Sequence, residues 1–276
     1  LEPDYSYGYA SSRQAGEYFY WQSDNSVGFR WSERFATYSG VVLTGTSYAD
    51  ADNNDRFTWE LYNQVRYQLS PQTVLTFDYR YAETTGNGEF SDSSDQYLLA
   101  GVEHRFSPNT IGIIRAGVQL HDVDGGSNAT SPYLELALNS QVNEQFSVRA
   151  FTRYGIENSN NIQDDPTAGL AEYEDSRTLR FGVSSNYVIS PTLSIFGGVD
   201  YIPTSYESGT SVTTPPFIGS ISDLDEQIVN AYVGMSVKIN DYLTGTAAYN
   251  YTHSSSDIAG RDYNRNRISI GVSSEF

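Results

Sequence analysis

Along most of this chain apolar and polar residues alternate one by one. Over residues 73–82, Leu75, Phe77, Tyr79 and Tyr81 share one side and Thr76, Asp78 and Arg80 the other. Over 226–239, Val229, Ala231, Val233, Met235, Val237 and Ile239 oppose Asn230, Tyr232, Gly234, Ser236 and Lys238. Val148, Ala150, Thr152 and Tyr154 likewise oppose Ser147, Arg149, Phe151 and Arg153. A strand turns successive side chains to opposite faces, so each segment predicts a β-strand with one apolar and one polar wall. The closing stretch, 263–276, repeats the form, with Ile268, Ile270, Val272 and Phe276 facing away from Arg265, Arg267 and Glu275.

Eleven such runs follow one another from residue 56: 56–69, 73–82, 96–106, 110–121, 132–142, 145–156, 176–189, 192–202, 226–239, 242–252 and 263–276. Upstream, 37–48 and a strand containing 26–32 form a further hairpin around 33–36, which makes thirteen. Two kinds of connection alternate. One is short and carries Ser-Pro, Asn or Asp: 69–73, 106–110, 142–145, 189–192 and 239–241. Proline presets φ, and Asn or Asp bonds its own backbone, so these predict tight turns. The other is long and acidic: 49–55, 84–95, 122–131, 157–175, 207–225 and 254–262.

Short turns on one rim and long loops on the other is the asymmetry of outer-membrane barrels, with the short turns periplasmic and the long loops extracellular. A closed barrel whose last strand finishes on the short-turn rim also starts there, so parity asks for one strand more. The candidate is 4–10 (DYSYGYA), with 17–22 as the rival first strand. The expected fold is all-β: one domain over 1–276, a closed antiparallel up-and-down transmembrane β-barrel of fourteen strands, with twelve or sixteen as alternatives.

Strands of about 10 residues, rising ~3.3 Å each and tilted by roughly 40°, span ~25 Å, the height of an outer-membrane apolar band. The chain has no apolar run long enough for a transmembrane helix, which leaves a barrel untouched because its strands alternate. Aromatics make up 14%, with 23 Tyr, yet mean hydropathy is negative. Many Tyr in a polar chain suit rings placed at membrane interfaces. There is no Cys, hence no disulfide and no thiolate metal site, and no signal-peptide pattern opens at Leu1, so the chain reads as mature.

The net charge of -18 excludes nucleic acid as a partner, since phosphate binding needs the opposite sign. Its distribution is more informative. Eleven of the sixteen basic residues take the polar phase of a strand: Arg30, Arg66, Arg80, Arg105, Arg115, Arg149, Arg153, Arg180, Lys238, Arg265 and Arg267. That phase carries six acids, Glu60, Asp78, Glu103, Glu135, Asp200 and Glu275, and the remaining acids crowd the long loops. So many Arg opposite apolar walls require one shared aqueous space, which puts the polar face inside. An open lumen of this kind lowers the barrier for anions; a closed one pairs its Arg with acids and Tyr hydroxyls as bracing. The expected solutes are small hydrophilic or anionic molecules or saccharide. The expected surroundings are outer-membrane lipid and lipopolysaccharide, with divalent cations as candidates at the acidic loops.

Only three His are available to an enzyme. His104 falls on the apolar phase near a short turn. His121, followed by Asp122 and Asp124, and His253, two residues before Ser255, are the pairs a rim hydrolase would use. Neither has an identifiable orienting acid and oxyanion donor, so no enzyme and no cofactor is expected.

The segments VRYQLSPQTVLTFDYRYAET, LLAGVEHRFSPNTIGIIRAGVQLHD, SSNYVISPTLSIFGGVDY and RDYNRNRISIGVSSEF resemble the outer-membrane β-barrel porin family often associated with exopolysaccharide loci in Gram-negative bacteria. The resemblance spans about residues 26–276. It implies an outer-membrane protein that passes or helps export a saccharide, and transfers no catalytic residue. One departure is Ser274, where many such barrels carry a large apolar residue two positions before the terminal Phe.

Overall fold

The computed structural model describes residues 18–48, 55–87, 92–124, 128–156, 162–165, 169–211, 223–257 and 262–274. They form one antiparallel meander in which each strand pairs with its neighbours in sequence. Its strands are β1 (Tyr18–Arg30), β2 (Phe35–Tyr48), β3 (Arg56–Ser70), β4 (Thr73–Gly86), β5 (Ser93–Ser107), β6 (Thr110–Val123), β7 (Asn128–Gln141), β8 (Phe146–Ile156), β10 (Gly169–Ser190), β11 (Leu193–Ser211), β12 (Leu224–Lys238), β13 (Leu243–Ser256) and β14 (Tyr263–Ser274). The four-residue β9 (Ile162–Asp165) lies off this path and pairs β10.

The alternation sets the register. In β12, Leu224, Glu226, Ile228 and Asn230 are buried while Asp225, Gln227 and Val229 are exposed, and β4 and β13 repeat the pattern. A one-residue slip would turn Val229 and Val233 inward and Asn230 outward. The outward side chains stay bare, with Phe77 at 48%, Ile114 at 55% and Val233 at 53%. In water an apolar sheet face demands a second layer; here the covered face is the polar one, an inverted arrangement suited to lipid. The sheet curls around that face, enclosing a cavity of about 1070 Å³ lined by residues from β4 to β14.

The short turns share two designs. In the three Ser-Pro turns the serine oxygen accepts from a backbone N–H two residues on: Gln72 to Ser70 and Asn109 to Ser107 at 3.2 Å, Thr192 to Ser190 at 3.3 Å. Asn143 and Asn240 each take two N–H donors on one side-chain oxygen, at 2.8–2.9 Å. These local bonds replace ladder bonds where the chain reverses.

Three expectations need correction. The stretches 17–22 and 26–32 are not separate strands: Tyr18 to Arg30 runs unbroken against β2, and only Glu17 of the rival first strand falls outside the described residues. The long loops are shorter than 84–95, 122–131 and 254–262, because β4, β5, β6, β7 and β13 continue into them. Parts of 157–175 and 207–225 also change character, with 162–165, 169–175, 207–211 and 224–225 lying in strands. β10 and β11 pair each other up to Ala171 and Ser211, beyond the last pairs with β8 (Arg177↔Ile156) and β12 (Tyr206↔Leu224), as a ribbon past the wall that β9 joins along 169–172 of β10.

The path holds thirteen strands rather than fourteen, and no ladder joins β1 to β14 among the described residues. The candidate strand 4–10 lies outside those residues. Both edges run from the long-loop rim to the short-turn rim, so direct contact between them would be parallel. Both are also bare, with Val27 at 70% and Ile270 at 83% exposed.

Candidate functional site

Residues from Pro108, Asn109 and Gln141 at the short turns up to Arg153, Arg180 and Asp200 at mid-strand line the cavity. Above it, toward the long loops, the inner face is packed: Gln119, Ser131, Asn230 and Thr252 are at 0% exposure. The interior is therefore a chamber at the short-turn half and a filled space at the long-loop half.

From β3 to β7 the inner charges compensate each other. Arg66 forms a two-pronged pair with Glu103 and donates to Gln64 at 2.9 Å. Gln64 in turn donates to Asp78 at 2.6 Å. Arg115 stands among three carboxylates, at 3.0 Å from Glu135, 3.6 Å from Glu103 and 3.8 Å from Asp78. Arg80 reaches Glu135 from β4 at 3.5 Å. Ladder register explains this: Arg115 is directly opposite Glu135, and the others lie one or two strands away on the same face.

The wall formed by β8 and β10 differs. Arg149 and Arg153 on β8 and Arg180 on β10 all line the chamber, whose lining acids are Glu135 and Asp200. Arg153 has Glu135 opposite it on one side and Arg180 opposite it on the other. Arg180 is 8% exposed, and its Nε has no hydrogen-bond partner. Arg149 sits with its guanidinium 5.7 Å from the Phe151 ring centroid. Three rings are fitted over glycines of adjacent strands: a Cβ at Gly182 would meet Phe151, one at Gly234 Phe196, and one at Gly198 Tyr232.

The filled half has a keystone that nothing in the sequence pattern announces. Pro132 would lie opposite Ile156, but proline has no N–H, and the β7–β8 ladder stops at Leu134↔Tyr154. The Gln119 side chain reaches over from β6 instead, accepting from the Ile156 N–H and donating to its C=O, both at 2.8 Å. The same amide donates to Asp95 at 2.8 Å and Tyr97 at 3.0 Å, and Asp95 also holds His121 Nδ1 at 2.8 Å. On the far side, Glu226, 1% exposed, accepts from Tyr206 at 3.2 Å and Ser254 at 3.3 Å.

A model of the family described as putative beta-barrel porin 2 matches residues 26–276. The chain belongs to that family. It is thus an outer-membrane channel in general terms. Among solved structures it is similar to the outer membrane channel DcaP of Acinetobacter baumannii, at 12% identity and TM-score 0.51, over 94% of this chain and 95% of that one. It is also similar to the FrpB iron transporter of Neisseria meningitidis, at 11% identity and TM-score 0.52, over 88% of this chain. The chain covers 45% of FrpB. At such identities the likeness is one of fold alone. No curated protein matches.

In this porin the remaining polar-phase residues spread along the strands. Glu60 faces inward on β3, and Asp78 and Asp200 are buried. Arg105 is exposed at the end of β5, and Arg30 folds onto the first turn, donating to the carbonyls of Ser32 and Glu33. Lys238 sits 2.9 Å from Asp241, and its ammonium holds that turn carboxyl below the usual range. Arg265 lies 5.9 Å from the Tyr263 ring centroid and Arg267 is exposed on the edge strand, while Glu275 is outside the described residues. Two further acids join the inner face: Asp95, because β5 starts earlier than expected and carries it off a loop, and Glu226, which opens the expected run 226–239 in the same phase as Asn230.

The histidines divide by face. His104 is outward, bonded to Thr73 at 3.0 Å; His253 is outward, bonded to Asn264 at 2.9 Å; His121 is buried inside against Asp95. Neither Asp122 nor Asp124 is its partner in that bond. No group of three or more metal-ligating side chains occurs among the described residues.

Proposed function

We propose that this porin is a passive channel for small hydrophilic anions or saccharide, with its long loops extracellular and its short turns periplasmic. The supporting observation is the chamber, whose lining sets Arg80, Arg149, Arg153 and Arg180 against Glu135 and Asp200. A surplus of fixed positive charge in a space comparable to the ~8 Å Debye length favours anions and repels cations. In this reading a strand running opposite to β1 and β14 fits between them and completes an even, closed wall. The bare outer face then meets lipid and lipopolysaccharide. The acidic loops are the candidate sites for divalent cations. Single-channel recording in a planar bilayer tests the reading: discrete, anion-preferring current is expected, and no current overturns it.

The packing of the long-loop half favours one other reading, a closed structural or adhesion barrel whose loops bind a partner. Loss of cell adhesion on removing 212–222, with no conductance in the intact chain, is its expected signature.

A further inference from the structure

The β8–β10 wall combines features that would be a defect unless something occupies the chamber. Like charges directly opposite on neighbouring strands repel, and Arg153 and Arg180 are such a pair. Arg180 is more than nine-tenths buried, and it makes no hydrogen bond or ion pair among the described residues. A buried guanidinium is costly without an anion to receive its donors. The β3–β7 wall of the same chain answers that cost with a carboxylate for each of Arg66, Arg80 and Arg115. Local violation of a rule that the rest of the fold obeys marks a functional position.

The same side of the chamber, continued from β8 and β10 onto β11 and β12, offers a second kind of surface. Phe151, Phe196 and Tyr232 all line the chamber, each laid across a glycine of the adjacent strand. With no Cβ in the way, the outer end of each ring packs over its glycine while the ring lines the chamber. Flat rings suit the apolar C–H faces of a pyranose, and a guanidinium fork suits a carboxylate. Each requirement alone is common; their adjacency on four neighbouring strands, β8, β10, β11 and β12, selects a solute that carries both.

The geometry points to a binding site for a carboxylate-bearing sugar on this wall. Arg180 and Arg153 receive the carboxylate, the rings of Phe151, Phe196 and Tyr232 receive the sugar, and Arg149 draws the anion in from the short-turn rim. The inference rests on the chamber being solvent-filled, as the channel reading requires, but binding and current are separable.

The test is calorimetric titration of the full chain in detergent with glucuronate, glucose and acetate, alongside bilayer recording. Glucuronate is expected to bind at least about 10-fold more tightly than either glucose or acetate, because it alone satisfies both surfaces. Arg180→Gln is expected to weaken glucuronate at least about 10-fold, since a neutral amide cannot replace the charged fork. The paired variant Arg66→Gln/Glu103→Gln, which removes a compensated pair elsewhere, leaves binding unchanged. Heat-modifiable electrophoretic mobility establishes that each variant is folded, and Arg153→Gln stands in should Arg180→Gln fail that check. Acetate or glucose equalling glucuronate, or folded variants on this wall binding as the parent does, overturns the site. Binding without current keeps the site and removes the channel; current without binding does the reverse.

Discussion

From β3 to β7, Arg66, Arg80 and Arg115 each meet a carboxylate; across β8 and β10, Arg149, Arg153 and Arg180 crowd a chamber where Glu135 and Asp200 are the acids. The two walls share backbone geometry, phase and residue types. They differ in which residue the register sets opposite each arginine. Glu135 faces Arg115 on one side and Arg153 on the other, so one carboxylate serves both walls at their junction. Beyond it, Arg153 faces Arg180. Charge on one wall braces strands together; on the other, Arg180 makes no hydrogen bond or ion pair among the described residues, which is the basis for the proposed solute site.

Removing arginines should expose that difference. The largest effect is expected at Arg115→Ala, which leaves Asp78, Glu103 and Glu135 facing one another without their common cation. A loss of about 3 kcal/mol is expected, read as a lowered urea midpoint. Next comes Gln119→Ala, which strands the Ile156 backbone groups and removes one of the two partners of Asp95 Oδ1. A loss of about 2 kcal/mol is expected in the same measurement, with higher single-channel conductance as β8 loses its tether. Arg180→Gln is the smallest: relieving a like-charge pair should leave the midpoint within about 0.5 kcal/mol of the parent or raise it. If Arg180→Gln destabilised as much as Arg115→Ala, the two walls would be equivalent and the contrast would fail.

Much of this was legible in period-two alternation. It gave the faces of β4, β8 and β12, the Ser-Pro and Asn turns, and the inward phase of Arg66, Arg80, Arg115 and Arg153. β1 was split because Gln22-Ser23-Asp24-Asn25 breaks the alternation; on an edge strand exposed on both faces, polar residues on either side carry little cost. Asp95 was assigned to a loop because an acid beside Ser93 and Ser94 reads as turn chemistry, whereas its oxygen is taken by Gln119 and His121. Gln119 itself had no signal of its own. The clue was on the neighbouring strand: Pro132 early in β7 removes a donor opposite Ile156, and some side chain had to supply it. Charge counts pointed to a basic interior, but pairing depends on register, which composition does not carry.

The most direct test of the account is the zero-current potential of the channel under a salt gradient, compared between the parent chain and an Arg149→Glu plus Arg153→Glu variant. The account predicts a clear anion preference in the parent that falls toward or past zero in the variant, because both residues line the chamber. An unchanged preference, with the variant folded and conducting, would contradict it by showing that ions do not pass along the β8 wall.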